Sequence, residues 1–144
     1  MKILILGAGQ VGATLARYLS LDNDNDITIV DQKEEMLTPL QRHLDIKTVI
    51  GYGAYPSVLE KAGIKSMDMV IAVMRSDERN MVACRMAHTL YDVKKKIARI
   101  RTTEYLLRPE IFSNEALPID FLITPENLIT DYIQGIVENP GASQ

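Results

Sequence analysis

The residues best placed to do chemistry stand near the start of the chain. Gly7, Gly9 and Gly12 fall in G-x-G-x-x-G spacing within Gly7-Ala8-Gly9-Gln10-Val11-Gly12, and Asp31 follows 19 residues after Gly12. In that spacing the first glycine lets the chain turn sharply. The second, lacking a Cβ, lets a pyrophosphate approach the backbone, and the third lets a helix pack closely on a strand. Unpaired amides at the helix start, with the positive end of its dipole, attract phosphate. A carboxylate about 20 residues further on can accept hydrogen bonds from both ribose hydroxyls and repels a 2′-phosphate, which disfavours NADP. It does not separate NAD from ATP or ADP, which carry the same adenosine ribose. Without a ligand, the same residues read as turn glycines and an aspartate that caps the next turn.

The elements around these residues give the motif its context. Residues 3–6 are an apolar run too short for a helix, the pattern of a strand buried on both faces. Val11, Leu15, Ala16 and Leu19 then recur at helical spacing, so the glycines sit at a strand-to-helix turn. Residues 27–30 read as a second strand, with Asp31 at its C-terminal end. A helix is expected over 33–44 with Met36, Leu37, Leu40 and Leu44 as its apolar stripe, and with Pro39 kinking it or delaying its start.

A strand over 47–50 leads into the turn Gly51-Tyr52-Gly53-Ala54. Pro56 or Ser57 opens a short helix carrying Val58, Leu59 and Ala62, and Gly63 closes it. Residues 69–73 read as a strand. Ser76 then caps a helix with Asp77 and Glu78 in its first turn, running to about residue 90 with Met81, Val82, Cys84 and Ala87 inward. Lys94-Lys95-Lys96 reads as a solvated turn before a strand over 97–100, followed by a short helix over 103–107. A strand over 121–123 precedes Thr124 as cap and Pro125 at the first position of a helix running to about 138. Its broad stripe is Leu128, Ile129, Tyr132, Ile133, Ile136 and Val137.

Strands and helices alternate and every strand is apolar. The expected architecture is α/β: a Rossmann-type, doubly wound, six-stranded parallel sheet with helices on both faces. Ligands of such sheets lie outside the C-terminal strand ends where strand order reverses. That nominates residues 7–12, Asp31, Tyr52-Gly53 and Met74-Arg75. Tyr52 either stacks beside an adenine or covers the turn. Arg75 pairs with phosphate or is a solvated loop residue. Arg99 lies within an apolar strand, so its charge needs a partner, either a ligand phosphate or a carboxylate of the fold.

The chain has 144 residues, 47% hydrophobic and 24% charged, with net charge −3. That suits one ordinary soluble domain and gives no electrostatic reason to expect nucleic acid. Cys84 is the only cysteine, which excludes an intramolecular disulfide and a cysteine-rich zinc site. No run is long enough to cross a bilayer, so a cytoplasmic setting is expected, with any membrane role exercised through a partner. His43 and His88 lie on different predicted helices and no catalytic set is visible. The nucleotide fold accounts for the whole length, so an enzyme would need a substrate domain from elsewhere. Three functions remain: a ligand-sensing regulatory domain, the cofactor-binding part of a small NAD-dependent dehydrogenase, or a module for another adenine nucleotide such as AMP.

Over essentially its whole length the sequence resembles the N-terminal nucleotide-binding domains, called KTN or RCK-N, of TrkA-type regulatory subunits of bacterial Trk potassium-uptake systems. The resemblance is carried by residues 1–12, Val58-Leu59-x2-Ala62-Gly63, Asp68-Met69-Val70-Ile71-Ala72-Val73 and Ser76-Asp77-Glu78-x-Asn80-Met81-Val82-Ala83-Cys84. Lys96-Ile97-Ala98-Arg99-Ile100-Arg101, Ala116-Leu117-Pro118-Ile119-Asp120 and Glu138-Asn139-Pro140-Gly141-Ala142 add to it.

The resemblance implies binding of NAD(H), in some members ATP or ADP, without catalysis. It carries nucleotide contacts onto Gly7, Ala8, Gly9, Gln10, Val11, Asp31, Tyr52, Gly53, Met74, Arg75 and Arg99. Many relatives have a small polar pair at Met74-Arg75, and a small polar residue or His at Tyr52, so these positions bear on nucleotide preference. The resemblance further implies a nucleotide domain over 1–139 and, at 140–144, the start of a linker to a C-terminal domain. It also implies self-association into a dimer or tetramer ring, and a membrane potassium transporter as partner.

Overall fold

Residues 1–124 are described by a computed structural model. Six parallel strands, β1 (Lys2–Leu6), β2 (Asp26–Asp31), β3 (Lys47–Ile50), β4 (Met69–Ala72), β5 (Lys95–Arg99) and β6 (Phe121–Ile123), form one sheet in the order β3-β2-β1-β4-β5-β6. From β1 the chain winds outward through β2 to β3, then returns to lay β4 on the other side of β1. That reversal parts the loops above β1 and β4, as it does in doubly wound sheets.

Alternation along β1 divides the core. Ile3 and Ile5 pack with Leu15, Ala16 and Leu19 of α1 (Gln10–Leu19) and with Leu37 and Leu40 of α2 (Glu34–His43). Leu4 and Leu6 point the other way, toward Leu59 of α3 (Pro56–Lys61) and Met81, Ala83, Cys84 and Ala87 of α4 (Asp77–Thr89). Each side chain from Ile3 to Leu6 thus meets a helix, which is why those four residues are all apolar. A short α5 (Thr103–Leu106) and a 3-10 turn at Pro109–Ile111 precede β6. Pro56 starts α3, and Gly63, at φ +84°, ends it in the left-handed region where a side chain is strained. At the start of α4, Ser76 Oγ accepts the Arg79 N–H at 3.3 Å.

Several expectations need correction. Helix α2 begins one residue later than predicted and runs through Pro39, held by buried Leu37 and Leu40 on either side of it. Met36 is 38% exposed and lines the crevice described below instead of joining the core stripe. Val82 is not inward but 47% exposed, because the face of α4 that meets the sheet is set by Asn80, Ala83, Cys84 and Ala87. Lys96 is not part of a solvated turn. It lies in β5 at 3% exposure, its Nζ 3.3 Å from an Asp120 carboxylate oxygen and donating to the Val93 carbonyl at 2.9 Å. A charge inside a strand is tolerable when paired in this way. The helix expected from Pro125 and the linker at 140–144 lie outside the described residues.

Candidate functional site

The C-terminal ends of the strands open into a crevice of about 280 Å³. Gly7, Gly9 and Val11 line it from the β1–α1 turn, and Asp31, Gln32, Lys33 and Met36 from β2–α2. Gly51, Tyr52 and Gly53 line it from β3–α3, Met74, Arg75 and Arg79 from β4–α4, and Arg99 from the end of β5. Nine of the nominated residues therefore come together: Gly7, Gly9, Val11, Asp31, Tyr52, Gly53, Met74, Arg75 and Arg99. Ala8, Gln10 and Gly12 are not on the wall. Ala8 is buried, Gln10 is exposed at the first position of α1, and Gly12 is buried against the turn.

The three glycines do different work. Gly7 sits at φ +112° and donates its N–H to Val30 O at 2.8 Å, and a Cβ there would stand 2.8 Å from Val73 O. At Gly12 a Cβ would overlap the Gly7 carbonyl oxygen, so the glycine is what lets α1 lie this close to the turn. Gly9 has an ordinary extended backbone, and an added Cβ would meet no atom within 4 Å. No contact within the protein calls for glycine there. Its missing side chain instead leaves open the space beside the start of α1, where a phosphate can approach.

The first intrahelical bond runs from Ala13 N–H to Gly9 O at 2.9 Å, so the amides of Gln10, Val11 and Gly12 precede it without intrahelical acceptors. No side chain caps them and no acid stands in the first turn. The positive end of α1 is left for an anion to satisfy. The residues present therefore fit a phosphate-bearing cofactor.

Asp31 serves the turn as well as the crevice. Its Oδ2 accepts the Ala8 N–H at 2.8 Å and its Oδ1 the Lys33 N–H at 2.9 Å. These bonds tie the glycine turn to β2 and open the approach to α2. Each carboxylate oxygen has room for a second hydrogen bond, so the turn-capping role and a ribose role are compatible.

Arg99 does not pair with a carboxylate among the described residues. Its Nη2 donates to the carbonyls of Val73 at 3.3 Å and Met74 at 2.8 Å, and its Nε is buried without a partner. Burial, then the nearby Arg101 charge, lowers its pKa against a weaker opposing pull from Asp77. Among the described residues no carboxylate lies within salt-bridge distance of Arg75, Arg79 or Arg99. With Lys33 beside them, four cations face one acid, Asp31, around the crevice. That balance favours an anionic ligand.

Two residues of α4 fix the loops that carry these cations. Asn80 is fully buried. Its Oδ1 accepts the Met74 N–H at 2.8 Å, and its Nδ2 donates to Met74 O at 3.2 Å and Arg99 O at 2.8 Å. Asp77 accepts the Arg101 N–H on both oxygens, at 3.2 and 3.1 Å, and the Thr102 N–H at 2.8 Å. Burial alone would raise the Asp77 carboxyl. Hydrogen bonds from the Thr102 side chain and the Thr102 and Arg101 amides, with the Arg101 charge, outweigh it and hold the group below its ordinary 3.8.

A folded-state pKa below the unfolded one means that this stability is complete above the unfolded value and is lost as pH falls through the folded value. Asp77→Asn should therefore lower the melting temperature by about 5 °C near pH 7, and the gap should close as pH falls below the carboxyl's ordinary 3.8. Thermal unfolding of both proteins across pH checks this, and a gap independent of pH would refute it.

Asn80 and Arg79 carry site geometry that motif reasoning did not assign. Asn80 did leave a trace, being a polar residue in register with the buried stripe Ala83, Cys84 and Ala87. Neither histidine nor Cys84 lines the crevice, and burial pushes the Cys84 thiol up to about 12. Among the described residues no group of His, Cys, Asp and Glu could hold a metal ion, and no helix is long and apolar enough to cross a membrane.

Comparison with known proteins gives the same picture of the fold. The chain is 54% identical over its whole length to the Trk system potassium uptake protein TrkA of Halomonas elongata, of which it covers 31%. It is 51% identical to the protein of that name from Haemophilus influenzae, again over all of this chain and 31% of that one. It thus spans about a third of the length of these relatives. Two solved structures share its fold. The TrkA-N domain of the inner membrane protein YbaL from Escherichia coli has a TM-score of 0.73 at 16% identity, over 94% of this chain and 96% of that one. The GsuK channel bound to NAD has a TM-score of 0.68 at 20% identity, over 99% of this chain and 24% of that one. With the TrkA-N domain profile matching residues 3–125, the chain belongs to the TrkA-N domain family.

Proposed function

We propose that this chain is a regulatory domain that binds NAD(H), or ATP or ADP, in the crevice and signals that occupancy to a Trk-type membrane potassium transporter. The observation that carries the proposal is Gly9. It is a glycine without an internal reason to be one, beside unpaired helix-start amides and facing Asp31 across a crevice rich in arginine. Phosphates would lie against the start of α1, with the ribose on Asp31 and further negative charge toward Arg75 and Arg99. The names of the relatives support the transport context, and the NAD held by GsuK supports the ligand class.

In this proposal residues 1–139 are the nucleotide domain and 140–144 begin a linker. The domain works from the cytoplasmic face of the membrane, self-associates into a dimer or ring, and performs no catalysis. A ligand moves such an assembly only by binding its two shapes with different affinity. The loops after β3 and β4, closing differently on different nucleotides, would supply that difference.

Calorimetric titration of NADH, NAD, ATP and ADP into wild type, Asp31→Asn and Asp31→Ala tests the proposal. Removing the carboxylate should weaken binding about 10–100-fold, the worth of charge-assisted bonds to two hydroxyls. Asp31→Asn, which keeps an oxygen to accept a turn amide, should lose affinity with less loss of stability. An unchanged dissociation constant for Asp31→Ala would remove the ribose from Asp31. Steady NADH oxidation with added carbonyl substrates would replace the sensor by an enzyme.

A further inference from the structure

We infer that Arg79 and Tyr52 form a clasp that recognises the base of the bound nucleotide, which makes Arg79 a specificity-determining residue. The inference rests on the nucleotide reading above and adds which part of the ligand Arg79 reads. The Arg79 guanidinium carbon lies 5.0 Å from the centroid of the Tyr52 ring, within the range of a cation–π contact. Tyr52 is itself braced edge-on by Tyr55, with ring centroids 4.5 Å apart and planes at 75°. Both members of the stack line the crevice.

The sheet order says which end of the ligand this is. Tyr52 follows β3 and Arg79 belongs to the first turn of α4, after β4, while β2 and β1 lie between those strands. The contact therefore reaches across the strand ends that carry Asp31 and the glycine turn. Phosphates at β1 and ribose at β2 put the base at β3, under Tyr52. A longer phosphate tail would run the opposite way, toward Arg75 and Arg99 beyond β4. Arg79 is a cation with no carboxylate partner among the described residues, yet its head lies at the base end. A guanidinium is planar and stacks on π-systems. Tyr52 takes one face, and the other suits a flat heteroaromatic base. A purine offers more surface to such a clasp than a pyrimidine does.

The test is calorimetric titration of ADP and UDP into wild type, Arg79→Ala and Arg79→Lys, with thermal unfolding of each as a folding control. These ligands share ribose and pyrophosphate and differ only in the base. Wild type should prefer ADP. Arg79→Ala should shrink the ADP-to-UDP affinity ratio about fivefold, as loss of a partly desolvated cation–π contact implies. Arg79→Lys keeps the charge but loses the flat face, so its ratio should shrink too. Equal weakening of ADP and UDP would assign Arg79 to the phosphates and overturn the clasp. So would an unchanged ADP affinity, or a wild type indifferent to the base. A wild type that binds neither ADP nor UDP would overturn the clasp, and one that also fails to bind NADH would overturn the nucleotide reading with it.

Discussion

Alanine at Gly12 is expected to cost the fold, and alanine at Gly9 only the ligand. At Gly12 the new Cβ would overlap the Gly7 carbonyl oxygen and lie 3.3 Å from Val73 Cγ2. Neither neighbour can give way easily. The first is backbone held by the Gly7 N–H bond to Val30 O, and the second is buried in the core beside α1. Helix α1 would have to lift off β1, where Leu15, Ala16 and Leu19 are buried, at a cost of about 3 kcal/mol or more. Gly9→Ala meets nothing within 4 Å and keeps an allowed backbone, so its melting temperature should stay within about 2 °C of wild type. Its methyl group would occupy the place where a phosphate approaches, and affinity for NADH or ADP should fall at least about tenfold, or 1.4 kcal/mol. Unfolding curves and titrations on the two variants separate the effects. If Gly9→Ala binds as wild type does, the phosphates do not lie at α1.

The strand pattern and the turn glycines were legible in the sequence because each reports a strong local constraint. Ile3-Leu4-Ile5-Leu6 is apolar because both faces of β1 are covered, and Gly63 closes α3 at positive φ. What sequence could not settle depends on partners far along the chain. Lys96 and Arg99 are both cations within β5, three residues apart and so on opposite faces. Lys96 meets Asp120, which strand pairing brings alongside, whereas Arg99 meets the ends of carbonyls after β4. Composition treats the two alike, and only the β4–β5–β6 register separates them. Val82 is exposed for a similar reason. On α4 the inward face is fixed by where Asn80 must reach, not by apolar residues alone. The crevice charge also depends on this assembly, since Lys33 comes from the β2–α2 loop, Arg75 and Arg79 from the loop after β4 and the first turn of α4, and Arg99 from the end of β5.

Asn80 shows how much of the site hangs on one side chain that touches no ligand. Among the described residues its side chain alone bonds both the β4–α4 turn and the end of β5, holding Met74 by its N–H and carbonyl and Arg99 by its carbonyl. Arg99 in turn reaches back to Met74 O, so turn, strand end and guanidinium form one hydrogen-bonded unit. Asn80→Ala should destabilise the protein by about 2–4 kcal/mol, because it leaves the Met74 N–H and the Arg99 carbonyl without these partners and opens a cavity at a fully buried position. Nucleotide affinity should fall with it as Arg75 and Arg99 lose their register.

Asn80→Asp sharpens the expectation. The new oxygen in place of Nδ2 would face two carbonyl oxygens instead of donating to them, and burial makes its charge costly. Such a carboxyl has its folded-state pKa raised, so the penalty is largest when it is ionised and eases as pH falls and a proton restores a donor. Relative to wild type, the melting temperature of Asn80→Asp should therefore recover between pH 7 and pH 5, while that of Asn80→Ala should not. If Asn80→Asp is as stable as wild type at pH 7, the donor bonds to Met74 and Arg99 contribute nothing, and the loops of the crevice are held by some other contact.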